Sequence, residues 1–381
     1  MISTEAAPSV DAIRSALSGV EDPEIHKPIT ELGMVKDVTV GDGGVVDIAV
    51  WLTVAGCPMK DTITTRVTEA VTAVPGVAGV RVELDVMSDE QRTELRRSLR
   101  GDSEEPRIPF AEPGSLTRVY AVASGKGGVG KSSVTVNLAA AMAERGLSVG
   151  VVDADIYGHS VPSMLGTVDR PTQVEKMIMP PQAHGVKVIS IGMFKPGNDP
   201  VVWRGPMLHR ALQQFLSDVF WGDLDVLLLD LPPGTGDIAI SVAQLMPNAE
   251  LLVVTTPQQA ASEVAERAGA VAMQTHQKLV GVVENMSWME LPDGRKMDVF
   301  GSGGGQVVAE SLTRTVGSEV PLLGQVPLDP RLRESGDAGI PLVLAEPDAP
   351  ASQVLRRVAD RLATRSRGLA GKLLSVTPAG R

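Results

Sequence analysis

The sequence predicts an α/β protein in which a mainly parallel sheet carries helices on both faces and a small α+β domain precedes it. Three observations support this. From Leu116 onward apolar runs alternate with helical stretches, and parallel strands buried on both faces read as continuous Val and Leu runs. The first such run, 119–123, leads into a glycine-rich nonapeptide, and an Ala- and Leu-rich helical stretch over 134–145 leads out of it. Ahead of these, the first hundred residues hold shorter elements of alternating pattern, closed by a polar stretch with three prolines over 101–113.

Taken in order, 9–20 is expected to be a helix because Ile13, Leu17 and Val20 recur at helical spacing. Strands follow near 35–40 and 45–53, with Gly41-Asp42-Gly43-Gly44 between them as a hairpin turn. A loop over 53–58 carries Cys57, and 60–74 reads as a helix. Val80, Val82, Leu84 and Val86 alternate with other residues in a last strand, and a charged helix covers 89–99. The expected division is a small domain over 1–100, a linker over 101–114, a large domain over 115–366 and a basic tail over 367–381. Strands of the large domain are expected at 119–123, 148–153, 186–191, 226–230, 251–255, 279–283 and 321–326. Ligands of such sheets sit beyond the carboxyl ends of the strands.

The nonapeptide lies at one of those ends. Gly125-Lys126-Gly127-Gly128-Val129-Gly130-Lys131-Ser132-Ser133 fits the phosphate-cradling pattern G-x-x-x-x-G-K-[ST], with the strand before and helix after that the pattern requires. Its glycines let consecutive backbone N–H groups turn toward one phosphate chain, and the helix N-terminus adds partial positive charge there. Lys131 is expected to reach the terminal phosphates of a nucleoside triphosphate, and the Ser132 hydroxyl to ligate Mg²⁺. Lys126 is a second cation inside the loop. It either points to solvent or crosses to nucleotide held by a second subunit, where it would stabilise charge on the transferring phosphoryl group.

Two further strands end in carboxylates. Val226-Leu227-Leu228-Leu229-Asp230 has the form of a Walker B strand, and Asp230 is expected to hold Mg²⁺ through water. The prolines and glycines of Leu231-Pro232-Pro233-Gly234-Thr235-Gly236-Asp237 suit either a segment that rearranges when a phosphate leaves or a rigid surface turn. The strand 149–153 runs into Asp153-Ala154-Asp155, where Asp155 is expected to position the attacking water or touch the magnesium shell while Asp153 supports the loop. His159 is expected to be structural.

Composition excludes other classes. The net charge of −11 argues against general nucleic-acid binding, which needs a basic surface. No apolar run reaches membrane-span length and no signal peptide is expected. One cysteine rules out an intramolecular disulfide and fits a reducing cytoplasm.

Together, the loop 125–133, Asp153-Ala154-Asp155-Ile156-Tyr157-Gly158-His159-Ser160, Asp230-Leu231-Pro232-Pro233-Gly234-Thr235-Gly236-Asp237, Thr256-Pro257-Gln258 and Glu284-Asn285-Met286-Ser287 resemble the Mrp/ApbC-type ATPases, which carry a deviant Walker A loop. Leu323-Gly324-Gln325-Val326-Pro327-Leu328-Asp329 continues the pattern, which covers roughly 115–345. The resemblance implies ATP hydrolysis, homodimers with nucleotide between subunits, and transfer of iron–sulfur clusters to apoproteins alongside assembly partners. It also implies that Asn285 and the loop with Pro327 and Asp329 contact adenine. Asp22-Pro23-Glu24, Leu32-Gly33-Met34-Val35 and Gly56-Cys57-Pro58 are similar to the PaaD/SufT-type domain of iron–sulfur assembly proteins. Cys57 is then either a cluster ligand or a small buried apolar residue.

One departure matters. Carriers of that family bring a C-x-x-C pair soon after the Asn-Met-Ser motif, where this chain has Trp288-Met289-Glu290-Leu291-Pro292-Asp293-Gly294. Glu290 and Asp293 are poor substitutes for soft thiolates, and the segment is expected to be a charged hairpin or a hard-metal site. The alternative function is a partitioning-type switch that dimerises with ATP and carries no cluster. The tail 365–376 has a faint amphipathic pattern of the kind such switches use, interrupted by Gly368 and Gly371.

Overall fold

The structure, a computed structural model, describes residues 8–25, 27–53, 59–100, 107–112, 114–155, 158, 160–174, 177–194, 205–234, 237–258 and 261–364. Cys57, His159 and the tail from 365 onward lie outside the described residues. In chain order the elements begin with α1 (Val10–Leu17), β1 (Val35–Val40), β2 (Val45–Leu52), α2 (Lys60–Thr72), β3 (Gly79–Val86) and α3 (Asp89–Arg100). Next come β4 (Arg118–Ala123), α4 (Lys131–Glu144), β5 (Val149–Asp153), α5 (Val161–Met164), β6 (Thr172–Val174), β7 (Met177–Met179), β8 (Gln182–Ala183) and β9 (Val186–Ser190). The chain continues with α6 (Gly205–Ser217), β10 (Val226–Asp230), α7 (Asp237–Leu245), β11 (Glu250–Thr255), α8 (Ala261–Thr275) and β12 (Leu279–Glu284). It ends with β13 (Met289–Glu290), β14 (Lys296–Met297), α9 (Gly304–Val316), β15 (Leu322–Gln325), α10 (Pro330–Asp337), α11 (Leu342–Ala345) and α12 (Pro350–Ala363).

The chain forms two compact units. The first comprises residues 1–106, 171–180 and 218–220, and the second the remainder. In the first unit β1 pairs antiparallel with β2, and β2 parallel with β3. Its core follows from period: Ile13 and Leu17 of α1 and Ile63, Val67 and Val71 of α2 recur every four residues, while Val46, Ile48 and Val50 of β2 alternate. Into the same core come Val174, Met177 and Met179 of the β6–β7 hairpin, with Phe220. Residue 178 bridges to 219, fastening the two short segments together. Both segments fall inside the span that the sequence suggests as one large domain. The structure places them in the first unit.

The second unit is built on an eight-stranded sheet of order β15-β12-β11-β4-β10-β5-β9-β8, parallel throughout except for the two-residue edge strand β8. Seven of its strands are those the apolar runs predict. Tyr120, Val122, Val226 and Leu228 pack into one large cluster with α4, α11 and α12. Leu227 and Leu229, pointing the other way, are equally buried, so both faces are covered. Each such side chain contributes about 1.5–3 kcal/mol on burial.

Candidate nucleotide site

The site lies at the carboxyl ends of β4, β10 and β5, three adjacent strands. In the register of the sheet Asp230 lies opposite Val122 on one side and Asp153 on the other. The nonapeptide turns between β4 and α4 with Gly128 at φ 78° and Gly130 at φ 77°, in the left-handed region that glycine alone enters freely. Gly130 is required twice over, because a Cβ there would lie 2.2 Å from Asn285 Nδ2. The segment after Asp230 runs beside the loop: Leu231 N donates to Val122 O and Gly234 N to Ser124 O at 2.8 Å.

Asp230 is fully buried and gathers the loop's polar side chains. Lys131 Nζ lies 2.7 Å from Oδ1, and Ser132 Oγ donates to Oδ2 at 2.6 Å. Thr135, one helical turn beyond Lys131, donates its hydroxyl to Oδ1 at 2.8 Å. The buried lysine is thus neutralised within the fold, an arrangement that burial demands of an unsolvated charge. Ser132 hydroxyl and Asp230 carboxylate are hard oxygen donors held together, the donor set that Mg²⁺ takes, so the residues fit that ion.

Asp153 has a different environment. Its Oδ2 accepts from Ser190 Oγ at 3.0 Å and its Oδ1 from the Asp155 backbone N–H at 3.2 Å. Burial, and then the Asp230 carboxylate beside it, push the Asp153 carboxyl up to about 8. Asp155 is buried past the end of β5, and its Oδ1 accepts from Gly158 N at 3.1 Å, closing the loop on itself. β5 ends at Asp153, and the two carboxylates would share a face only if the strand ran on.

The remaining candidates divide. Lys126 Nζ donates to Gln258 Oε1 of the same chain. Asn285 Nδ2 donates to Val129 O at 2.9 Å, binding the end of β12 to the loop, while its buried Oδ1 has no partner among the described residues. Asp329 caps α10 through Arg331 N and pairs with the Arg331 guanidinium at 2.8 Å. Pro327 is buried just before it. Ser133 lies on the first turn of α4, its carbonyl accepting from Asn137 Nδ2. Sequence reasoning missed Thr135 and Ser190, and quoted Gln258 within a motif without its pairing to Lys126. The four-residue step from Lys131 to Thr135 was the available signal for the first, since it sets both on one helical face; Ser190 ends β9 and Gln258 follows β11, both far away in sequence.

Segment 289–297 is a hairpin, Met289 paired with Met297 and Glu290 with Lys296. Asp293 is held by the Arg295 backbone and guanidinium, which keep its carboxyl below the usual range. Among the described residues no three His, Cys, Asp or Glu side chains gather as a metal site. No helix among them is long and apolar enough to cross a membrane.

Comparison with known proteins accords with this geometry. The model of the NUBPL iron-transfer P-loop NTPase family matches residues 115–363, and that of an iron-sulfur cluster assembly protein family matches 10–84. The chain is 70% identical to an iron-sulfur cluster carrier protein of Mycobacterium bovis, over 97% of each chain. It is 65% identical to the carrier protein of Mycobacterium leprae, over 99% of this chain and 98% of that one. Among solved structures, a nucleotide-binding protein from Archaeoglobus fulgidus in complex with ADP superposes with a TM-score of 0.50. It is 35% identical, over 58% of this chain and 86% of its own. With the loop, its carboxylates and two thirds of the sequence all matching one model, the chain belongs to the NUBPL iron-transfer P-loop NTPases.

Proposed function

We propose that this chain is an ATP-hydrolysing carrier that receives iron–sulfur clusters and passes them to apoproteins, acting in the reducing cytoplasm as a homodimer. The observation that carries the nucleotide half is the buried Lys131–Asp230–Ser132 contact at the mouth of the glycine loop. Nucleotide phosphates take the place of Asp230 as the partner of Lys131, and backbone N–H groups of 127–133 hold them. Ser132 and, through water, Asp230 would hold Mg²⁺, which would supply neutralisation of charge at the transferring phosphoryl group. Asn285 offers its Oδ1, without a partner among the described residues, to the amino group of adenine, with the Pro327 loop alongside. Asp155 orients the attacking water, and Lys126, released from Gln258, reaches the phosphates of the second subunit.

The cargo half rests on both family matches and on the carrier relatives. Clusters are held by thiolates, usually four. With one cysteine per chain, Cys57, a pair of chains supplies two. The remaining ligands come from the client or from a thiol donor. The test is reconstitution with ferric iron and sulfide, with and without an added thiol, followed by transfer to an apo iron–sulfur enzyme. Thiol-dependent iron retention, lost in Cys57→Ser, and client activation support the reading. A chain that binds Mg-ATP and dimerises but retains and transfers no iron supports the partitioning-type switch instead.

A further inference from the structure

Three side chains of α4 hold the fully buried Asp230: Lys131 and Thr135 on Oδ1, Ser132 on Oδ2. The proposed nucleotide chemistry draws on two of them, since Lys131 turns to the phosphates and Ser132 to Mg²⁺. Thr135 has no nucleotide task. It is wholly buried one turn below the loop, and its hydroxyl has two acceptors in reach, Asp230 Oδ1 at 2.8 Å and Lys131 O at 3.0 Å. A hydroxyl has one proton to give. Donation to the backbone four residues earlier is the ordinary habit of a helical threonine, but donation to an anion makes the stronger bond.

We propose that Thr135 is the positioning residue that keeps Asp230 aimed when nucleotide takes away its other two partners, so that Oδ2 alone faces the metal. This inference rests on the nucleotide reading above. Without Thr135 the carboxylate, stripped of Lys131, would have an unsatisfied buried Oδ1 and would turn to share it, misplacing the water-bridged metal contact. The loop's grip on the phosphates would be untouched, because that grip is made by backbone N–H groups and Lys131.

The test is calorimetry of ATP binding to the full chain, with saturating Mg²⁺ and with a chelator, for the wild type, Thr135→Val, Thr135→Ala and Thr135→Ser. The expected result is that Val and Ala variants lose about tenfold or more of the Mg²⁺ enhancement, the size of one hydrogen bond to a charged group. Their metal-free affinity stays within about twofold of wild type, and Ser restores the enhancement. Two hydroxyl-free variants of different volume guard against one that misfolds. Full Mg²⁺ enhancement in both, or equal loss with and without metal, overturns the role of Thr135. A wild type that binds no nucleotide under either condition overturns the nucleotide reading itself.

Discussion

The nucleotide cradle and the first unit are built on opposite plans. The cradle is nine consecutive residues running from the end of one strand into the first turn of one helix, with Asp230 from the neighbouring strand placed alongside by sheet register. The first unit gathers its interior from three stretches of chain, two of them embedded in the other unit's sequence. A local plan tolerates change elsewhere and fails at single residues, whereas a composite plan spreads its cost over distant positions.

The sharpest test of the local plan is Lys131→Ala. Nucleotide binding should vanish in calorimetry, and removing the cation from a buried pair should also cost roughly 3–5 kcal/mol of stability. Lys126→Ala comes next. Its ammonium donates to Gln258 of the same chain, so Mg-ATP should still bind while turnover falls ~100-fold or more, toward the loss of an arginine finger. Equal loss of binding in both variants would erase the distinction between the two lysines. For the composite plan, Met177→Ala should cost about 2–5 kcal/mol. Hydrogen exchange should show the loss in residues 10–86, with nucleotide affinity within about twofold of wild type. A matching loss of nucleotide affinity would show that the two units do not fail separately.

Asp153→Asn probes the site through pH. The folded carboxyl is raised to about 8 by burial and by Asp230, while the unfolded one titrates near its ordinary value of about 3.9. Between those values the folded state binds the extra proton, so the Asp153 contribution to stability is full in acid and is lost as pH rises toward 8. Asparagine mimics the neutral form, and urea titrations from pH 5 to 8 should show a flatter slope in the variant; an unchanged slope would remove Asp153 as the cause. Smallest of all, replacing Glu290 and Asp293 together by alanine should leave retained iron unchanged, since Asp293 is engaged by Arg295 on an exposed hairpin.

The contrast also explains what could be read from the chain. The seven parallel strands were legible because residues such as Leu227, Leu228 and Leu229 are buried on both faces and leave no polar position in the run. The cradle was legible because its spacing is the chemistry. Asn285 on Val129, Lys126 on Gln258 and Ser190 on Asp153 join residues tens or more of positions apart, and no local pattern encodes such pairs. The β6–β7 hairpin was illegible for two reasons: its strands are three residues long, below any usable period, and its apolar residues serve a core begun far earlier in the chain, at Ile13.

That borrowed hairpin limits how the molecule can be taken apart. Severing the polypeptide between residues 106 and 107 would release an amino-terminal piece without Val174, Met177, Met179 and Phe220, leaving raw apolar surface where they sat. Swapping that piece for a cousin's would require exchanging the distant hairpin with it. The two modules share their chain, so they cannot be exchanged one for one like beads on a string.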